Sequence, residues 1–268
     1  MFNVRLIKAE GLRRFLVLLF YAAAIVLAIT WLAGKYTVAE KASAIILLVL
    51  VPFGLWNEYV RYIYTLGNKE LNVLCDPEAC LKHTRFVMKV DFLLHQYEHM
   101  APFQEGYATI DIDRLQDVKK QLNDRLGKRY FKSMARNFEH IYLLFIVAVL
   151  SHDQGEVKAQ YNEISKLFKA QERLSGDLIT LKYFIEAIYK SATGNSKEAL
   201  DMFEHLDTKA FKNRELTYYY YFLARTYNLE RQYDKALEAH QKAKELSPKN
   251  LYVQNHEVVT HKSALRQK

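Results

Sequence analysis

Residues 218–248 read YYYYFLARTYNLERQYDKALEAHQKAKELSP. Tyr220, Leu223, Ala224 and Tyr227 stand three or four apart, which places them on one side of a helix, and Tyr233, Ala236 and Ala243 mark a second helix. Small Ala224 and Ala236 let two antiparallel helices approach closely, and the aromatic rings fill the space around them. Pro248 ends the second helix, because it has no N–H to donate and its ring clashes with the preceding turn. The four successive tyrosines 218–221 point all round a helix, so at most two can line any one face.

The pattern recurs upstream. A shift of 37 residues overlays Tyr183, Ala187, Gly194, Ala199 and Phe203, and a further 39 overlays Leu144, Val147, Ala148, Gly155, Ile164 and Leu167, with Gln160 at the small position. These offsets resemble those of the tetratricopeptide repeat family. The departures are His240, where a large aromatic is usual, and Arg231, where glycine is usual. The resemblance covers about 110 residues and implies three helical hairpins over 137–249, followed by a capping helix over 250–268, because such hairpins need neighbours to bury their faces.

Between 73 and 136 the chain also reads as helix, with apolar residues three and four apart and no period-two alternation, so the whole segment after residue 73 is expected to be all-α. Asp76-Pro77-Glu78 is a helix start: Asp76 can cap, Pro77 suits the first helical position, and Glu78 meets the positive end of the dipole. That helix is expected to reach about Met100, before a loop over Ala101-Pro102 and Gln104-Glu105-Gly106. Another is expected over Ile112–Leu126, stopping at Gly127, and the segment 73–136 could hold divergent hairpins of the same stack.

The N-terminal 72 residues differ in kind. Phe15 to Gly34 is a run of twenty uncharged residues, about 30 Å of helix, which matches a bilayer core. A second run begins at Ala42 and is extended by Tyr59, Val60, Tyr62, Ile63 and Tyr64, giving spans of about 15–34 and 42–64, with a kink or cavity near Pro52. Trp31, Trp56 and the tyrosine cluster occupy interfacial positions. A cleaved secretory signal would fit the basic start, but it would put bulky Trp31 where its junction needs a small residue. Arg5, Lys8, Arg13 and Arg14 precede the first span, only Lys35 and Lys41 lie between the spans, and Arg61, Lys69, Lys82 and Arg85 follow the second. This bias expects both termini and the C-terminal domain in the cytoplasm.

In the tetratricopeptide family the first helix of each hairpin lines a concave groove that accepts peptides or helices. The resemblance therefore selects Tyr218, Tyr221, Arg225 and Asn228 in the last unit, Leu181, Phe184, Ile188 and Ser191 in the middle one, and Tyr142, Phe145, Val149 and His152 in the first. This lining is aromatic and aliphatic rather than basic, so it suits an amphipathic helix or apolar peptide and not a clamped terminal carboxylate. The alternative is that these side chains are core, covered by residues 77–126 or by a second copy of the chain.

Other chemistries find less support. Cys75, Cys80, His95 and His99 approximate a two-Cys, two-His zinc pattern, but one helix from Pro77 to Met100 would separate Cys80 from His95 by about 22 Å. The cysteines are therefore expected to be reduced core residues, with no metal or other cofactor. The formal charge of +8 splits evenly, since the first 72 residues hold 8 Lys plus Arg against 4 Asp plus Glu and the remainder holds 30 against 26. That balance argues against a nucleic-acid face, and the basic residues beside the spans fit anionic lipid instead. Nine scattered glycines cannot form a phosphate loop, and neither a Gly-x-Ser-x-Gly elbow nor a His-Glu-x-x-His helix occurs. The sequence thus points away from an enzyme and towards a membrane-anchored scaffold that holds a protein partner at the membrane. The alternatives are a structural subunit of a larger membrane complex, with the chain as a possible oligomer, or a metal-binding sensor or enzyme using Cys75 to His99.

Overall fold

The computed structural model describes residues 4–92, 95–125, 134–171 and 175–258. Among them are twelve α-helices and no strand, so the fold is all-α. The chain divides into two compact units, Met1–Ile63 and Tyr64–Lys268.

The first unit holds α1 (Val4–Ala33) and most of α2 (Val38–Asn72). The turn between them is fixed by a reciprocal cap. The Thr37 N–H donates to the Glu40 carboxylate at 2.8 Å, and the Glu40 N–H donates back to the Thr37 hydroxyl at 3.4 Å. That cap starts α2 four residues before the expected Ala42, and the helix continues past Tyr64 to Asn72 with Pro52 inside an uninterrupted element. The helices are antiparallel. Arg13 grips the Glu58 carboxylate with both terminal nitrogens, at 3.1 and 2.6 Å, while Tyr21 lies so close to Gly54 that a Cβ there would collide with its ring. Phe15, Leu16, Leu19, Phe20, Ile45, Ile46 and Val49 all remain exposed. Glu10–Ala33 and Val38–Asn72 are both long and apolar enough to cross a membrane.

The second unit begins with the end of α2, followed by α3 (Pro77–Val90), α4 (Ala101–Asp111) and α5 (Leu115–Arg125). Asp76 caps α3 by accepting from the Ala79 N–H at 3.0 Å, and Pro77 occupies the first turn, as the sequence suggests. The expected single helix to Met100 is corrected. α3 stops at Val90, where the Asp91 carboxylate turns back to accept the N–H groups of Gln96 and Tyr97. The expected loop at 101–106 is a helix instead, because Pro102 sits in a first turn that needs no N–H, and Gly106 packs its bare Cα side towards Leu143. The helix expected from Ile112 begins at Leu115, and its expected stop at Gly127 lies outside the described residues.

Three antiparallel hairpins follow: α6 (Met134–Leu150) with α7 (Gln154–Lys169), α8 (Gly176–Ala192) with α9 (Ser196–Glu204), and α10 (Asn213–Leu229) with α11 (Tyr233–Leu246). Each closes through the same turn. His152, Gly194 and Arg231 take positive φ of 59°, 95° and 59°, two residues before the second helix. The next N–H, from Asp153, Asn195 or Gln232, donates to the carbonyl five residues back, at 3.0, 2.9 and 2.8 Å. This identity sets the register. The turns at 152, 194 and 231 are spaced by 42 and 37, so the first hairpin aligns three residues away from the expected shift of 39. Gly155 lies inside α7 rather than at the turn, and the position matching Ala199 and Ala236 is Val157, not Gln160. All three are fully buried.

One core runs through the three hairpins and takes in Ile110, Val118 and Leu122 from α4 and α5 and Tyr252 from α12 (Leu251–Asn255). α12 is a five-residue helix capped by Asn250, shorter than the expected 250–268, and residues 259–268 of that expectation lie outside the described residues.

Candidate functional site

The corrected register redefines the inner face of the stack. Counting back from each turn, Tyr218, Tyr221, Arg225 and Asn228 of α10 match Leu181, Phe184, Ile188 and Ser191 of α8, and these match Glu139, Tyr142, Ile146 and Val149 of α6. Phe145 therefore leaves the inner-face set. It occupies the helix-pair position of Ala187 and Ala224, fully buried, with its ring 6.5 Å from Tyr161 on α7. His152 belongs to the turn. Glu139 and Ile146 are the residues that the sequence reading missed, and the repeated turn is the signal that places them.

This inner face is not an open groove. Phe145, Val149, Phe184, Ile188, Tyr218 and Tyr221 are buried, and Tyr142, Leu181, Arg225 and Asn228 are half-buried. What covers it comes from the same chain. α4 packs on α6 and α10, with the Tyr107 ring 6.3 Å from that of Tyr142 and the Tyr107 hydroxyl donating to Glu139. At the far end of α4, Arg214 donates two hydrogen bonds to the Asp111 carboxylate, at 2.8 and 2.9 Å, and the Tyr218 hydroxyl adds a third at 2.7 Å. The guanidinium also lies 4.7 Å from the Tyr107 ring and 4.9 Å from that of Tyr218. α12 closes the other side. The Tyr252 ring packs 5.7 Å from Tyr221 and its hydroxyl donates to the Leu150 carbonyl at 3.0 Å, while His256 and Asn255 reach Asp113 just beyond α4.

The four tyrosines divide as helix geometry requires. Tyr218 and Tyr221 face inward, Tyr219 donates to the Phe203 carbonyl of α9 at 3.0 Å, and Tyr220 carries Lys242 of α11 over its ring at 5.8 Å. Arg225 donates to His152 Nδ1 at 3.2 Å, so one hairpin's inner face touches another's turn.

Burial sets the titration of this region. It pushes Glu139 above the ordinary carboxyl range, against the Tyr107 hydrogen bond, which pulls it down. Burial also lifts the Tyr218 phenol and lowers the imidazoles of His140 and His240. Cys75 and Cys80 are buried, free thiols, with Cys80 pushed up to about 12 by burial. Cys80 packs with Leu71, Leu81 and Ala108, and among the described residues no group of three or more His, Cys, Asp or Glu could hold a metal ion.

No family model, curated protein or solved structure matches this chain. Its function is therefore argued from its own geometry. Among the described residues it shows an aromatic and aliphatic inner face covered by α4 and α12 of the same chain.

Proposed function

We propose that this chain is a membrane-anchored scaffold whose tetratricopeptide-like hairpins hold an amphipathic helix of a protein partner at the membrane. In this reading α1 and α2 cross the bilayer, both termini and the helical body are cytoplasmic, and no catalytic step is involved. The two lipid-length helices support the anchor, and the excess of Lys and Arg outside the short connection supports the orientation.

The observation that carries the proposal is the seating of α4. The aromatic inner face suits an amphipathic helix, and it holds one in cis. Half of the buried face of α4 is polar, with Gln104, Glu105, Thr109 and Asp111 beside Ala101, Gly106, Ala108 and Ile110. Gln104 and Glu105 turn towards α2 and α3, whereas on the hairpin side Asp111 accepts from Arg214 and Tyr218 and Glu139 accepts from Tyr107. In this reading a partner helix displaces α4 by supplying a carboxylate for buried Arg214 and a donor for Glu139 in its place.

A second reading, a structural subunit of a larger membrane complex, is favoured by the same filled face if α4 never leaves it. Native-state hydrogen exchange on the full chain in lipid nanodiscs decides between them. The scaffold reading expects α4 amides to exchange through an opening that leaves α6, α8 and α10 protected. If α4 exchanges only in the opening that also releases α10, the displaceable-helix proposal is rejected and the structural subunit stands.

A further inference from the structure

The face that α4 presents to the hairpins is written in its spacing. Phe103, Gly106, Tyr107, Ile110 and Asp111 recur at intervals of three and four and form one stripe. The opposite side belongs to other neighbours: Ala108 packs with Leu71 and Cys80, and the Gln104 amide turns to Gly67. The stripe therefore records, position by position, what an occupant of the inner face must bring.

Phe103, Tyr107 and Ile110 pack into the core of the hairpins, which makes three of the five positions apolar or aromatic. Gly106 leaves no room for a large side chain, since a Cβ there already stands 3.2 Å from Leu143 of α6. The Tyr107 hydroxyl donates to Glu139, which a phenylalanine could not do. One turn later, Asp111 accepts from Arg214 at 2.8 and 2.9 Å and from the Tyr218 hydroxyl at 2.7 Å. Arg214 is buried, and among the described residues no other carboxylate pairs with it. An occupant without an acid at this position would leave that charge uncompensated in the interior. Just past the helix, the Asp113 carboxylate lies 3.0 Å from His256 Nε2 and accepts from the Asn255 amide at 3.4 Å. His256 is held there by stacking on Tyr252 at 4.2 Å, and Tyr252 in turn packs beside Tyr221. The three polar anchors follow in one order, Glu139 on α6, Arg214 on α10 and His256 beyond α12, so they also fix the direction in which an occupant runs.

We propose that the partner is a helix of the pattern aromatic-x-x-small-Tyr-x-x-aliphatic-Asp, with a second acidic residue two positions beyond that Asp. The inference rests on the reading of α4 as a displaceable helix and adds the chemistry and polarity of what replaces it. Arg214 sets the specificity, because a helix lacking the acid forfeits the contact and also leaves a buried donor unpaired.

The probe is a fluorescently labelled peptide of residues 100–114, added to the full chain in lipid nanodiscs and read by anisotropy. The unsubstituted chain is expected to bind it weakly, because its own α4 competes at high effective concentration. A chain carrying Tyr107→Phe loses one hydrogen bond of its own helix and should bind the peptide about fivefold more tightly. In the peptide, Asp111→Asn should weaken binding by about 30-fold or more and Gly106→Leu by about tenfold. Both changes favour the free helix, so lost helicity cannot account for the weakening. Equal affinity of the unsubstituted and Asp111→Asn peptides overturns the pattern and leaves α4 displaceable. No binding of the unsubstituted peptide to either chain also overturns it. Amide exchange then decides the larger reading: α4 opening by itself keeps the displaceable helix, and α4 opening only with α10 removes it together with the pattern.

Discussion

Leu19 in α1 is 57 % exposed and Ile188 in α8 is 1 % exposed, although both belong to helices rich in aliphatic side chains. The same contrast holds for the charges. In the first unit Arg13 and Glu58 pair at the rim of the helical hairpin, where both side chains keep more than a fifth of their surface. In the second, Arg214 pairs with Asp111 in the interior, where the aspartate is 2 % exposed. One region turns its apolar surface outward and keeps its charges at the ends of its helices, and the other encloses an apolar core and one ion pair within it. The difference fits the proposed membrane anchor, since apolar side chains in hydrocarbon gain nothing by leaving the lipid, whereas in water they are buried at about 25 cal/mol per Å².

Substitutions can break this comparison, and the largest effect belongs to the interior pair. Asp111→Ala leaves the Arg214 charge buried without its partner, and denaturant unfolding of the full chain in detergent should show a loss of about 3–5 kcal/mol. Glu58→Ala at the half-exposed pair should cost no more than about 1 kcal/mol in the same assay. Equal losses would erase the distinction between rim and interior. Next comes Ile188→Ala, expected to cost about 2–5 kcal/mol, against a change within about 0.5 kcal/mol for Leu19→Ala. The same measurement on Tyr221→Ala or Phe184→Ala reads core packing, not recognition, because both side chains are buried.

Smaller effects test the repeated turn. Gly194 holds a φ of 95°, so Gly194→Ala should lower stability by about 1 kcal/mol, and Arg231→Gly, at a φ of 59°, should move it the other way. If the two changes have the same sign, the turns are not equivalent. The smallest expected effect depends on pH. Burial holds His240 below its ordinary 6.5, so the folded chain keeps it neutral while the unfolded chain takes up a proton first as pH falls. Stability from this group is present above about pH 6.5 and is lost as pH falls towards the folded value. His240→Phe should therefore make the unfolding midpoint less sensitive to acid below about pH 6.5, measured by thermal melts across that range.

Much of the architecture was legible because it is written in local spacing. Helical periodicity, the Asp76-Pro77 start, the twenty uncharged residues and the alanines at 187, 199, 224 and 236 each act within a turn or two of chain. The errors arose where a residue's usual role was overruled by its neighbours. Glycine normally marks a left-handed turn, so Gly155 suggested the wrong register, whereas the hydrogen bond from Asp153 back to Ala148 holds His152 in that conformation. Pro102 and Gly106 read as loop, yet a first-turn position and the nearness of Leu143 make them helix.

The inner face shows the same division. Its residue types were visible at 142, 181, 184, 188, 218 and 221, because a face is a property of one helix. Its occupancy was not, because Asp111 and Arg214 stand 103 residues apart and nothing local to either announces the other. The amino-acid order alone settled that the chain is helical, that two of its helices are apolar over a bilayer's thickness, and that hairpins repeat near its end, since those features follow from side-chain period and backbone preference. Only the tertiary structure decided the three-residue register and the seating of α4, because each depends on which distant side chains compete for the same buried space.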